Sequence, residues 1–184
     1  CRHRHGVRGV PHLDPSHASL LTEILQRVTT LPVSEAADQM TVRPNAVFVV
    51  PPNRSMSIFH GVLQLAELEQ PRGQRMPIDA FLRSLAEDQG ENAVGIILSG
   101  TGTDGTLGVR AIIGAGGVTI VQEPSTARFD GMPASAIRSG FATHVLPVDR
   151  MPDTLRNVAR ARNHADAAPP RATTSGINQI LMLL

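Results

Sequence analysis

The stretch VGIILSGTGTDGTLGVRAIIGAGGVTIV, residues 94–121, decides the fold. Val94 to Leu98 is an unbroken apolar run, as a strand buried on both faces requires. Ser99 to Gly105 is a tight glycine loop. Thr106 to Ala115 reads as a helix, closed by Gly116-Gly117 where the chain must turn. Val118 to Val121 is apolar again. Strand, glycine loop, helix, strand is the repeating unit of a parallel sheet, whose strands need a crossover between them.

The same alternation extends outward. Ala46 to Val50 (AVFVV) reads as a buried strand closed by Pro51-Pro52-Asn53. Ser57 to Phe59 and Val62 to Leu65 read as a small hairpin turning at His60-Gly61. Glu69 to Arg75 reads as a polar loop. A helix from about Pro77 carries Ile78, Phe81, Leu82 and Leu85 inward. An earlier helix starts near Ser16, its N-cap, and Leu20, Leu21, Ile24, Leu25 and Val28 form one face expected to be buried. Downstream lie a helix with Pro133 at its first position, a strand His144 to Leu146, and a helix Pro152 to Arg162. The expected fold is α/β: a doubly wound, mostly parallel sheet with helices on both faces.

The chain has 184 residues, 41% of them apolar and 18% charged, with 17 basic against 16 acidic side chains. That composition suits one globular domain and points to no nucleic acid partner. The single cysteine, Cys1, cannot form a disulfide within the chain, so a reducing cytoplasm is expected. No apolar run is long enough to span a bilayer, and no membrane insertion is expected.

Candidate chemistry concentrates in the glycine loop, where backbone N–H groups face the space above the sheet in open α/β folds. Asp104 sits there, near the start of the following helix, whose dipole favours an ionised carboxylate. Such a carboxylate can orient a histidine. It can equally be a plain helix cap. Gly100, Gly102 and Gly105 also match the outline of a dinucleotide site, with Glu123 ending the next strand. His12, before Leu13-Asp14-Pro15-Ser16, is either a general base facing Asp104 or a surface residue near a frayed end. His3 and His5 are too few for a metal site, and no metal or cofactor is expected. His17, His60 and His144 read as solvent-facing or loop residues, and Ser99 as packed at its strand end. No G-x-S-x-G turn occurs.

Four separated motifs carry a resemblance: His12-Leu-Asp-Pro-Ser16, Phe81-Leu-Arg-Ser-Leu-Ala-Glu87, Leu98-Ser-Gly-Thr-Gly-Thr-Asp-Gly105 and Phe129-Asp-Gly-Met-Pro-Ala134. In order and spacing the chain resembles the catalytic domain of CheB-type protein-glutamate methylesterases, over about His12 to Pro152. The resemblance implies a Ser-His-Asp triad with His12 as histidine and Asp104 as aspartate. It places Thr101 and Gly102 at the oxyanion loop and Met132 in the loop flanking the site. The implied reaction is hydrolysis of glutamate γ-methyl esters on methylated chemoreceptors. The family's serine lies in a G-x-S-x-G-G-like turn after a first strand. That strand–helix unit is expected to be missing here, leaving an inactive fragment. Residues 1–163 are expected to form this domain, 164–176 a linker, and 177–184 the first helix of a fused CheR-type methyltransferase domain.

Overall fold

In chain order the elements are α1 (Ala18–Val28), β1 (Val33–Glu35), β2 (Met40–Thr41), β3 (Ala46–Val49), β4 (Arg54–Phe59), β5 (Val62–Glu67), α2 (Pro77–Gln89), β6 (Val94–Ile97), α3 (Thr106–Gly114), β7 (Val118–Gln122), α4 (Gly131–Arg138), β8 (His144–Leu146), α5 (Met151–Ala165) and β9 (Ile180–Leu183). They come from a computed structural model that describes residues 18–68, 75–165 and 180–183.

The expected βαβ unit is present: β6 and β7 pair in parallel, Val94 opposite Val118, with α3 between them. β8 continues the ladder in parallel, so the order is β6-β7-β8. β1, β3 and β9 form a second parallel ladder in the order β1-β3-β9. The hairpin β4–β5 pairs antiparallel and β2 joins its β5 side. The α/β class and the mostly parallel pairing therefore match the sequence reading. Among the described residues, however, the strands form three ladders rather than one continuous doubly wound sheet.

The hairpin turns where the sequence places it. His60 and Gly61 both have positive φ, 50° and 72°, the two-residue turn whose twist matches paired strands. Two side chains of α2 hold it: Ser84 Oγ accepts the N–H of Ile58, and Asp88 accepts that of Gly61. Phe81, Leu82 and Leu85 of α2 are buried with Met56, Ile58, Leu63, Ile97, Val109, Ile112 and Val121 in one core. Each such side chain contributes roughly 1.5–3 kcal/mol when fully buried.

Several expectations are corrected. The apolar face of α1 is not buried: Leu20, Ile24 and Val28 are 45%, 54% and 78% exposed. α1 packs chiefly on β1, and a three-residue strand is too short to cover it. Helix α4 starts at Gly131, so Pro133 is its third residue. The strand expected over His144 to Leu146 is present, with His144 opposite Ile120 and half-buried rather than solvent-facing. α5 runs through Ala165, so the linker expected from residue 164 starts no earlier than 166. The helix expected over 177–184 is instead strand β9 over its described part. A four-residue apolar run has no period that separates helix from strand, and pairing with β3 decides. The loop expected over Glu69–Arg75 lies outside the described residues except for Arg75, as does the N-cap Ser16.

The contact between α2 and α3 depends on Gly108. A Cβ there would sit 2.6 Å from Leu82 Cβ, whereas one on Gly114, in the same helix, would meet nothing within 4 Å. Gly108→Ala should therefore destabilise by about 1–3 kcal/mol through overpacking. Gly114→Ala should instead stabilise, by up to about 1 kcal/mol from helix propensity. Urea unfolding of both variants checks this, and equal shifts would contradict the packing argument.

Candidate active site

Asp104 lies past the C-terminal end of β6, in the loop leading to α3. Its carboxylate does not serve the helix that follows it. It reaches the start of α2, where Oδ1 accepts the N–H of Asp79 at 2.9 Å and Oδ2 that of Ile78 at 3.1 Å. Oδ1 also accepts the N–H of Gly105 at 2.9 Å. The residue preceding α2, Met76, makes no capping bond of its own, so Asp104 is the cap of a helix 26 residues away in sequence from Ile78.

The favour is returned. Asp79, 3% exposed in the first turn of α2, accepts the N–H of Gly108 in the first turn of α3 at 2.7 Å. α3 begins after Gly105, which has no side chain to cap with and a φ of 89°. A side chain there is doubly excluded, because its Cβ would lie 2.5 Å from Ile97 Cδ1.

Burial holds the Asp104 carboxyl above its ordinary value of 3.8, against the pull of the Asp79 and Ile78 amides, and the neighbouring Asp79 carboxylate adds to the rise. Burial thus opposes the preference for the ionised form expected from the helix dipole. A carboxylate has about four acceptor positions, and three are used here. Among the described residues, no donor takes the remaining position on Oδ2.

The glycine loop is latched to the segment before α4 and to the first turn of that helix. Ser99 Oγ accepts the N–H of Phe129 at 2.9 Å, Gly100 N–H donates to the Phe129 carbonyl at 3.0 Å, and Met132 N–H donates to the Gly100 carbonyl at 2.9 Å. Ser99 is exposed rather than packed away. Below it, buried Gln122 accepts the Ser99 N–H through Oε1 and donates through Nε2 to the Thr126 carbonyl, tying the ends of β6 and β7 together. The Met132 thioether fills the space a side chain on Gly100 would need, and a Cβ on Gly131 would lie 3.0 Å from the Gly102 nitrogen. Thr101, Gly102 and Thr103 are exposed, and their N–H groups have no acceptor among the described residues. They are donors available to a ligand.

The structure therefore brings Thr101, Gly102 and Met132 together, with Asp104 at the end of the same loop. His12 lies outside the described residues, as do His3, His5 and His17. The cavity at the end of β3, about 190 Å³ and lined by Leu21 and Val49 to Arg54, shares no residue with these loops. The dinucleotide outline is disfavoured by the packing. Met132 occupies the gap at Gly100 that a pyrophosphate would approach, and the start of α3 already holds the Asp79 carboxylate. Asp79 and Gln122 escaped the sequence reading. Their only signals are an acid in the first turn after Pro77 and one polar residue ending an apolar strand.

These features define a mostly parallel α/β domain whose polar groups gather beyond the C-terminal end of a strand. Residues 5–155 match the family model described as CheB methylesterase, and the chain belongs to that family. It is 44% identical over 131 residues to an uncharacterised 104.1 kDa protein of Rhodobacter capsulatus, covering 71% of this chain and 14% of that one. It is 35% identical over 164 residues to a protein-glutamate methylesterase/protein-glutamine glutaminase of Pseudomonas aeruginosa, covering 87% of this chain and 47% of the relative. The chain thus spans just under half the length of that relative. A solved CheB methylesterase catalytic domain from Thermotoga maritima superposes with a TM-score of 0.70 at 28% identity, covering 80% of each chain.

The raised Asp104 pKa has a sign. The folded protein keeps a proton that the unfolded chain gives up at about 3.8, so this group's stabilisation is present at low pH. It is lost as pH rises through the higher folded value. The stability difference between the wild type and Asp104→Asn should therefore shrink as pH is raised above 3.8, by urea titration at each pH. A difference that grows with pH would show the amides, not burial, in control.

Proposed function

We propose that this chain is a catalytic-type domain for hydrolysis of glutamate γ-methyl esters on chemoreceptors, with Asp104 orienting His12 as general base. The observation that carries the reading is the Asp104 carboxylate, fixed by three backbone amides beyond β6 with one acceptor position left, in a chain of the CheB methylesterase family. In this reading the free N–H groups of Thr101 and Gly102 face the developing oxyanion, and Met132 supports their loop from behind. An ester carbonyl would be attacked by a serine hydroxyl, with His12 taking the proton and returning it to the leaving methanol, and water then cleaving the acyl-serine ester to free the carboxylate and the serine. The Pseudomonas relative's name also includes glutaminase, and amide hydrolysis at the same site needs only ammonia in place of methanol as leaving group.

Three further parts belong to the proposal. The chain on its own turns over negligibly, because its sequence holds no G-x-S-x-G turn. It works in the cytoplasm, supported by its lone cysteine and by the lack, among the described residues, of a helix long and apolar enough to cross a membrane. It acts as one module of a larger protein with a methyltransferase domain, an arrangement for which the 104.1 kDa relative offers the needed length.

The first test is intact-mass analysis after a serine-directed phosphonate. We expect no adduct on the chain alone; an adduct lost in His12→Ala would reveal an activated serine and reject the claim of negligible turnover. Extended upstream by a segment bearing a G-x-S-x-G turn, the chain should release methanol from methyl-esterified receptor. Asp104→Asn should then lower kcat by about 10³–10⁴-fold. Methanol release indifferent to both His12→Ala and Asp104→Asn would overturn the triad assignment.

A further inference from the structure

The buried carboxylate of Asp79 has no part in the reaction described above, yet it is the least exposed acid among the described residues at 3%. Among the described residues its carboxylate accepts one bond, from the N–H of Gly108, 2.7 Å away and 29 residues on in sequence. A carboxylate removed from water costs several kcal/mol unless its surroundings compensate, so its place calls for a physical reason. A neutral Asn or Ser would cap the same helix without that cost.

We propose that Asp79 is a positioning residue for Asp104, clamping the starts of α2 and α3 together so that the two carboxylates act as one coupled unit. The proposal rests on the reading of Asp104 as the aspartate that orients His12. The geometry is a closed loop of bonds. The Asp79 backbone N–H and that of Ile78 hold the Asp104 carboxylate, and the Asp79 side chain holds α3, whose first residue follows the Asp104-Gly105 pair. Neither helix start can swing without breaking the bond that fixes the other. The clamp is braced on both flanks: Thr106 donates to Ser135 of α4 at 2.9 Å, and Leu82 packs where a side chain on Gly108 would stand.

The charged groups around the clamp are few. Among the described residues, the Asp79 carboxylate is the charged group that acts on the Asp104 carboxyl. Arg83, one turn along α2, donates through Nε to the Asp79 backbone carbonyl at 3.3 Å. Arg110, next along α3, is exposed and lies over the Phe141 ring. Two acids share one small volume, and the third charge able to enter it is the one Asp104 is built to hold. An imidazolium on the free acceptor position of Oδ2 would meet the field of both carboxylates.

The test is NMR of the full chain, following the amide protons of Ile78, Gly105 and Gly108 across the acid pH range. Ile78 and Gly105 donate to Asp104 and report its ionisation, while Gly108 reports the clamp. Asp79→Asn keeps an oxygen for Gly108 but removes the charge. We expect Gly108 protection to survive, and the Ile78 and Gly105 shifts to titrate together at lower pH than in the wild type. Asp79→Ala should cut the exchange protection of Gly108 by about tenfold or more and move the Ile78 and Gly105 shifts at every pH. Titration of Ile78 and Gly105 at the same pH in the wild type and Asp79→Asn would overturn the proposal, and this arm decides alone if Asp79→Ala fails to fold. The triad reading fails separately, through ester turnover of the upstream-extended chain that is indifferent to Asp104→Asn while the clamp signals stand.

Discussion

The exchange of carboxylates between two helix starts is the constraint on which the rest of the site depends. Neither α2 nor α3 supplies its own cap, since Met76 and Gly105 offer no side-chain oxygen. Each takes one from an aspartate belonging to the other's end of the structure. Every helix begins with N–H groups that have no partner inside it, and leaving them buried and unpaired is costly. Two remote acids solve this, and in doing so fix the distance between the helices. That distance in turn admits only glycine at position 108. The loop after β6 is then tied down at its far end before any ligand arrives.

From there the site is assembled by backbone rather than by side chains. The glycine loop exchanges three bonds with the segment before α4 and that helix's first turn, through Ser99, Gly100, Phe129 and Met132. Close approach of two loops requires glycines at 100 and 131, because a methyl group at either would press on Met132 or on the Gly102 nitrogen. What emerges is a run of exposed amides at Thr101 to Thr103 on a rigid support. Donors that are held in place need no reorganisation when charge develops in front of them, which is the property an oxyanion site needs.

Much of this was legible in the sequence where the signal is local. The run Val94 to Val121 announced strand, loop, helix and strand, and His60-Gly61 announced the hairpin. The gathering of Thr101, Gly102, Asp104 and Met132 was legible through motif order. What the sequence hid is long-range. α1 has a perfect apolar face, but periodicity cannot say whether anything covers it, and Ile24 is 54% exposed. The apolar run at 180–183 reads as helix or strand equally well until β3 offers a partner. Asp104 reads as the cap of its own helix because sequence proximity favours that, while the fold gives it to α2. Asp79 reads as an ordinary first-turn acid, since nothing local reveals that α3 closes over it.

The charge balance follows from these placements. A carboxylate exposed to water would orient a histidine weakly, because solvent competes for its lone pairs and screens its field. Half-burying Asp104 beside a second, buried acid makes the opposite bargain: the ionised form of Asp104 is less favoured before a cation arrives, in line with its raised carboxyl. On the proposed reading, the imidazolium formed as the serine is deprotonated relieves that discomfort, so the interaction is stronger in the transition state than in the resting enzyme. Interactions with that asymmetry are the ones that accelerate a reaction rather than merely bind a substrate. The cost of the buried acids is met by helix-start amides that the fold had to satisfy in any case. One arrangement of two aspartates thereby closes both helix ends and, on the proposed reading, also provides stabilisation for the developing cation.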